Sequence, residues 1–162
     1  MRRRLGAIVV MGLLALSACE RREAAPTPEV ARFSHRLSAD ISGDYRPVGE
    51  GRSPVASLFV GQATAFTAWE AGRGGAAPLI LSLTWPQGPM RVNPDAYAIT
   101  DDTVQMTGSA PGGGVVRIQG RIDQGALATA RRNLGDQTPV ITGTVSVDGQ
   151  RTAFALSWRG GD

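Results

Sequence analysis

The sequence predicts a single all-β domain, either an antiparallel β-sandwich or a small β-barrel of about seven to nine strands, with one short helix near 125–134. Glycine accounts for 21 of the 162 residues, about 13%, against a usual share of ~7%. Segments in which apolar and polar residues alternate recur between turn-forming residues, which is typical of strands. Two pairs of these segments flank two-residue turns, which favours antiparallel hairpins.

The first half of the domain is expected to form strands of uneven regularity. Residues 33–45 alternate with an interruption at Gly43, which predicts one strand with a bulge. Residues 55–69 are rich in β-forming residues, and their alternation changes parity at Gly61, which predicts a long bulged strand. The clearest strand in this half has its large apolar side chains on one face: Leu79, Leu81, Leu83 and Trp85.

Two hairpins follow from the pairing of residues across short turns. A loop at Asp101–Asp102 brings four apolar side chains onto one face: Tyr97, Ile99, Val104 and Met106. A turn at Asp148–Gly149 suits the type I′ conformation and places Gly143 opposite Phe154. A slip of one residue would mix the apolar and polar faces, so the pattern specifies the register.

Between the hairpins the sequence predicts one more strand and the helix. Residues 115–122 alternate between apolar and polar side chains. Asp123 can cap the first turn of a helix, and Gly135 suits the position after its last turn. Helical spacing places four side chains on one side: Leu127, Ala130, Arg131 and Leu134. These features predict a helix at 125–134 that links two strands.

The composition excludes several kinds of chemistry. The chain contains no lysine, so it cannot contain a Schiff-base lysine, a P-loop lysine or a Ser-x-x-Lys pair. A single cysteine cannot form an internal disulfide. Removal of residues 2–4 from the 17 basic residues leaves 14, equal to the 14 acidic ones. A near-neutral chain without a basic face is not expected to bind nucleic acid.

The N-terminal stretch ends at the only cysteine. Residues 2–4 are arginines, and the apolar run at 5–16 that follows them is shorter than the ~20 residues of a membrane-spanning helix. The segment Leu16-Ser17-Ala18-Cys19 resembles, at all four positions, the lipobox of bacterial lipoprotein signal peptides. This resemblance covers only the N-terminal stretch. It implies lipidation of Cys19, cleavage between Ala18 and Cys19, and acylation of the new amino terminus.

The expected organisation is a cleaved signal peptide at 1–18, a lipidated and disordered tether at 19–32, and a single β-rich domain at 33–162. The tether is charged and contains two prolines, and it would extend about 40 Å. Glu20 follows the cysteine where an aspartate would indicate retention in the inner membrane. We therefore expect a lipid anchor in the outer membrane facing the periplasm, with the inner membrane as the alternative.

We expect no catalytic, metal-binding or cofactor-binding residue, and no cofactor. His35 is the only histidine, and its place just after the tether favours a solvated, mobile side chain over a member of a catalytic triad. Zinc sites need several His or Cys ligands. Four oxygen-bearing residues are better explained by turn formation than by calcium binding: Asn93, Asp95, Asp101 and Asp102.

Four arginines form a candidate anion patch: Arg117, Arg121, Arg131 and Arg132. Through bidentate pairs these side chains could bind lipid headgroups, phosphates or a glycan carboxylate. The alternative is that they belong to a solvated strand face and a solvated helix end.

The expected function is that of a non-enzymatic envelope lipoprotein. Its partners would be the membrane, through the acyl chains, and an envelope protein or glycan in the periplasm. One alternative is a lipocalin-like carrier with an apolar cavity, lined by Trp69, Trp85 and Trp158. The other is a wall hydrolase that uses two converging carboxylates, drawn from this set: Asp40, Asp44, Glu50, Glu70 and Asp95.

Overall fold

A computed structural model describes residues 32–49, 51–86, 88–110 and 112–161. The predicted β-rich class is confirmed, but this part of the chain contains ten strands and two helices, more of each than expected. The strands are β1 (Phe33–Arg36), β2 (Gly43–Pro47), β3 (Val55–Val60), β4 (Leu79–Leu83), β5 (Met90–Val92), β6 (Pro94–Thr100), β7 (Thr103–Ser109), β8 (Val115–Ile122), β9 (Ile141–Val147) and β10 (Gln150–Trp158). The helices are α1 (Ala63–Glu70) and α2 (Gln124–Arg132).

All ten strands belong to one sheet, in the order β1-β6-β7-β8-β9-β10-β2-β3-β4-β5. Neighbouring strands are antiparallel except β1 and β6, which are parallel. The sheet curls into a half-barrel, rather than the predicted sandwich or closed barrel. Strand twist accumulates across a sheet of this width, so curling is expected.

The hydrophobic core lies on one face of the curled sheet. β8 shows the pattern most clearly, because its residues are alternately exposed and buried along its whole length. Tyr45, Leu58 and Leu156 are fully buried in the same core. The described core extends from Ile41 to Trp158, and residues 31–162 form a compact unit. A unit with its own core is expected to fold independently.

Both predicted hairpins are confirmed. β6 and β7 pair in the predicted register around the Asp101–Asp102 loop. β9 and β10 also pair as predicted, with Gly143 opposite Phe154. Asp148 and Gly149 have φ angles of 49° and 87°, which are the left-handed values that a type I′ turn requires.

The prediction of a long strand at 55–69 is wrong. β3 ends at Val60 and α1 begins at Ala63. The change of parity at Gly61 therefore marks a transition from strand to helix, and not a bulge. The alanine-rich run that follows favours a helix. The N–H of Gly61 donates to the carbonyl of Pro78.

Residues 33–45 form two strands instead of one. β1 pairs with β6, whereas β2 pairs with β3 and β10. Gly43 has a φ of +148°, and a Cβ there would lie 2.1 Å from Nε1 of Trp158. Glycine is thus required at residue 43 because the indole ring lies directly against the backbone.

The predicted helix exists, but it ends earlier than expected. Asp123 Oδ1 accepts a hydrogen bond from the N–H of Ala126 at 2.9 Å, which confirms the predicted cap. The C-cap residue is Asn133, whose extended backbone ends the helix before Gly135. Leu134 is consequently 75% exposed and does not belong to the apolar face of α2.

Candidate functional site

Helix α1 bridges two parts of the sheet that the strand order keeps apart. It connects β3 to β4, which lie near one edge of the sheet, and it packs against β1, which forms the opposite edge. Two sets of α1 side chains define the candidate site. One set contacts β1 and β6, and the other lines a cleft.

Phe66 anchors α1 to the sheet. Its side chain is fully buried. Its ring stacks on the His35 imidazole with centroids 5.6 Å apart and meets the Tyr97 ring edge-on at 5.3 Å. Phe33 extends this contact, because its ring lies 6.2 Å from Trp69 and 5.1 Å from Tyr97. Aromatic pairs in these geometries are stabilising beyond the area they bury.

Four polar side chains reinforce this contact, and we call them the α1 latch: His35, Thr67, Glu70 and Tyr97. His35 Nδ1 lies 2.8 Å from Glu70 Oε2, and the Tyr97 hydroxyl donates to Glu70 Oε1 at 3.1 Å. Both carboxylate oxygens of Glu70 therefore bind residues of the sheet. Thr67 Oγ1 lies 3.5 Å from His35 Nε2.

The latch changes the interpretation of His35. Its side chain is only 19% exposed and belongs to β1, so it is not the solvated, mobile group expected from its position. Burial raises the pKa of Tyr97, and the adjacent Glu70 carboxylate raises it further. The Tyr97 hydroxyl consequently stays protonated at neutral pH and remains a donor to Glu70.

Three side chains of the latch form a chain of hydroxyl, imidazole and carboxylate, which is the arrangement of a catalytic triad: Thr67, His35 and Glu70. However, the Thr67 hydroxyl donates to the Ala63 carbonyl at 3.1 Å, one turn earlier in the helix. Its distance from the imidazole is longer than the ~2.6–3.2 Å expected between a nucleophile and its base. This geometry favours a structural role for the latch, in which it holds α1 on the sheet.

Removing the latch carboxylate should measurably weaken the domain. We expect Glu70→Ala to lower the free energy of unfolding by about 1–2 kcal/mol, because His35 and Tyr97 both lose their hydrogen bond to the carboxylate. Urea denaturation measures this change. Asp102→Ala, at an exposed turn, is the matched control, with an expected change below about 0.5 kcal/mol. Equal effects of the two substitutions would show that the latch does not hold α1.

A cleft of about 420 Å³ lies beside α1. Its walls come from the end of β3, from α1, from the loop before β4 and from the start of β2. No ionisable side chain is found among the described residues that line it. Most of these residues are small, and Phe59, which is 38% exposed, is the largest apolar side chain at the cleft. The cleft therefore suits an uncharged, partly apolar group.

The structure does not bring the four predicted arginines into one patch. Arg131 lies 3.2 Å from a carboxylate oxygen of Asp40, donates to the carbonyl of Ser42 and covers the ring of Trp158. Burial opposes ionisation of Asp40, but hydrogen bonds from Ser42 and the Arg131 charge together lower its pKa. Arg131 is thus a structural residue that fixes the segment before β2.

Of the other three predicted arginines, two share a strand face and the third lies on α2. Arg117 and Arg121 are exposed on the same outward face of β8. Arg132 is exposed at the end of α2 and donates to Thr129 Oγ1. The predicted lipidation and cleavage residues, Ala18 and Cys19, lie outside the described residues.

The carboxylates proposed for a hydrolase are bound to different partners. Glu70 belongs to the latch, and Glu50 lies outside the described residues. The remaining pairs are Asp40 with Arg131, Asp44 with Arg46, and Asp95 with Ser109. Asp101 accepts hydrogen bonds from the backbone N–H groups of Ser38 and Ala39. Within the described ranges, no three His, Cys, Asp or Glu side chains form a group suited to a metal ion.

The sequence pattern predicts a strand where α1 forms, so it reveals neither the cleft nor the latch. The clustering of four alanines among residues 63–71 is the signal that could have identified the helix. Comparison of the chain with protein-family models, with curated proteins and with solved structures finds no match.

Proposed function

We propose that the protein is a lipid-anchored envelope protein whose β-domain binds an uncharged, partly apolar segment of a partner in the cleft beside α1, without catalysing a reaction. The cleft is the observation that carries this proposal. General acid–base catalysis requires an ionisable group at the reacting atoms, and the described lining of the cleft supplies none.

The walls of the cleft support binding. Phe59 offers an exposed aromatic surface, and aromatic side chains in partly enclosed pockets often dominate binding energy. Ala65 and Ala68 of α1 line the facing wall, so a partner can approach the helix closely. The latch and Phe66 hold this wall in place, which limits the entropy lost when a partner binds.

The lipid anchor is proposed from the sequence at Leu16–Cys19. Several acyl chains give firm attachment, whereas a single chain gives marginal attachment. The segment at 19–32 would act as a spacer between the bilayer and the domain. Within the described ranges, no helix is both long enough and apolar enough to cross a membrane.

The two alternative functions receive less support. A lipocalin-like carrier needs an internal cavity, whereas core side chains fill the inner face of the sheet. Trp158 belongs to this core, Trp69 packs at its margin and Trp85 is 43% exposed, so the three tryptophans do not line one cavity. A carboxylate hydrolase needs two convergent acids, and the described candidates are bound to separate partners.

Photo-cross-linking tests the binding proposal. Benzoylphenylalanine incorporated at Phe59 in the full chain should form an adduct of defined mass when whole cells are irradiated. The same probe at Gln137, an exposed loop residue that is not among the described residues lining the cleft, is the control and should form none. Equal labelling at both positions, or none at Phe59, would contradict the proposal.

Metabolic labelling with a palmitate analogue tests the anchor. The wild-type chain and a Glu20→Gln control should incorporate the label and fractionate with membranes. Cys19→Ser should remain unlabelled, because the thioether cannot form. Label that persists in Cys19→Ser would show that the lipobox interpretation is wrong.

A further inference from the structure

A depression of about 480 Å³ lies on the outward face of β7, β8 and β9, at the paired glycines Gly120 and Gly143. Six polar side chains line it: Thr103, Gln105, Gln119, Arg121, Thr142 and Thr144. The strand register arranges these side chains in two rows of three across the strands. Neighbours within a row are ~5 Å apart, and the rows are ~7 Å apart.

The glycine pair forms part of the floor of the depression, although its inward side faces the core, where a Cβ at Gly120 would lie 3.0 Å from side-chain atoms of Ile141 and Val104. A Cβ at Gly143 would lie 2.0 Å from the carbonyl oxygen of Gln119 and 2.7 Å from the Cα of Gly120. β8 and β9 therefore approach each other closely at this point. The floor of the depression is backbone, and longer side chains surround it.

The charge of this surface is positive. Arg121 lies in the depression, and the register places Arg117 and Arg151 on either side of Ser146. Arg117 is ~13 Å from Arg121 along β8 and ~10 Å from Arg151 across β9. Among the described residues, none of the outward-facing positions on β7, β8, β9 and β10 carries a carboxylate.

The carboxylates near this surface lie outside its centre, and most of them have partners. Asp95 accepts a hydrogen bond from a serine hydroxyl, and Asp101, Asp123 and Asp148 accept from backbone N–H groups. Asp102 is exposed in the turn between β6 and β7. The three arginines therefore define the charge at the centre of the face.

This combination of groups matches one class of ligand. Threonine hydroxyls and glutamine amides both donate and accept hydrogen bonds, as sugar hydroxyls require. The guanidinium group binds carboxylate or phosphate with two parallel hydrogen bonds. Arginines spaced ~10–13 Å apart suit a polymer with repeated negative charges better than a single small ion.

We propose that this surface binds an anionic glycan. Arg121 holds a carboxylate or phosphate of one unit, the threonines and glutamines hold its hydroxyls, and Arg117 and Arg151 bind a charged unit farther along the same glycan. The proposal depends neither on the lipid anchor nor on the cleft, so its failure would leave the proposed function untouched.

Calorimetric titration of the chain from residue 20 to residue 162 tests the proposal, because this chain contains the complete described core. Oligomers of galacturonic acid should bind, whereas neutral dextran should not. Arg121→Gln should weaken binding about tenfold or more, since a charge-assisted bidentate pair is lost. Arg73→Gln, at an exposed residue of the loop between α1 and β4 that does not line the depression, is the control and should change affinity less than twofold.

Gln119→Ala provides a second variant in case Arg121→Gln fails to fold, and it should also weaken binding. Undiminished binding by the variants that fold would overturn the proposal. Equal binding of dextran, or binding of inorganic phosphate alone, would overturn it as well. Binding to phosphatidylglycerol vesicles without binding to the oligomers would instead assign the face to a membrane surface.

Discussion

Replacing Gly143 with alanine is expected to lower the free energy of unfolding by about 3 kcal/mol, at the upper end of the usual cost of overpacking. The added Cβ would lie 2.0 Å from the Gln119 carbonyl oxygen and 2.7 Å from the Gly120 Cα. Both are backbone atoms of β8, in the middle of the sheet. Relief of the contact therefore requires separation of β8 and β9.

Urea denaturation followed by tryptophan fluorescence measures this effect. Gly51→Ala is the matched control, because no atom lies within 4 Å of its added Cβ and its φ is outside the left-handed region. Its expected change is within about 0.5 kcal/mol. A Gly143→Ala protein as stable as the Gly51→Ala control would contradict the close approach of β8 and β9.

Phe66→Ala is expected to cost about 3–5 kcal/mol, because it removes a fully buried ring and leaves a cavity. The ring contacts His35 and Tyr97, so its loss also weakens the attachment of α1 to the sheet. We therefore expect two effects, a less stable domain and faster opening of α1. The second effect would remove one wall of the cleft.

Hydrogen exchange separates these two effects. In Phe66→Ala the amides of α1 should exchange faster than the drop in the free energy of unfolding predicts. The amides of β8 should exchange at the rate that this drop predicts. Phe59→Ala makes the same chemical change at an exposed site and should cost less than about 1 kcal/mol. If α1 exchange were identical in the two variants, Phe66 would not be the anchor of the helix.

The second half of the fold is predictable because short stretches of its sequence, the turns and the alternation beside them, specify its strands. The turn at Asp148–Gly149 and the alternation on either side of it specify both strands and their register, and the structure matches them. The same reasoning placed Arg117 and Arg121 on the outward face of β8. Residues two positions apart on a strand must share a face, so this inference needs no tertiary contact.

The first half was less predictable because its structure depends on distant contacts. The parallel pairing of β1 with β6 joins Phe33 to Tyr97, and no local signal indicates that pair. α1 is a two-turn helix in a region also rich in β-formers, and short helices owe most of their stability to tertiary packing. The latch combines side chains from β1, α1 and β6. From the sequence alone, its carboxylate, Glu70, is only a candidate acid of a hydrolase.

A cleft-filling substitution tests the central claim most directly. Ala68→Trp should occupy the cleft beside α1, whereas Ala128→Trp adds the same side chain to the exposed face of α2. With benzoylphenylalanine at Phe59, we predict that the adduct in irradiated cells disappears in Ala68→Trp and persists in Ala128→Trp, provided that both proteins have wild-type melting temperatures. An adduct that forms equally in both variants would contradict the claim that the cleft binds the partner.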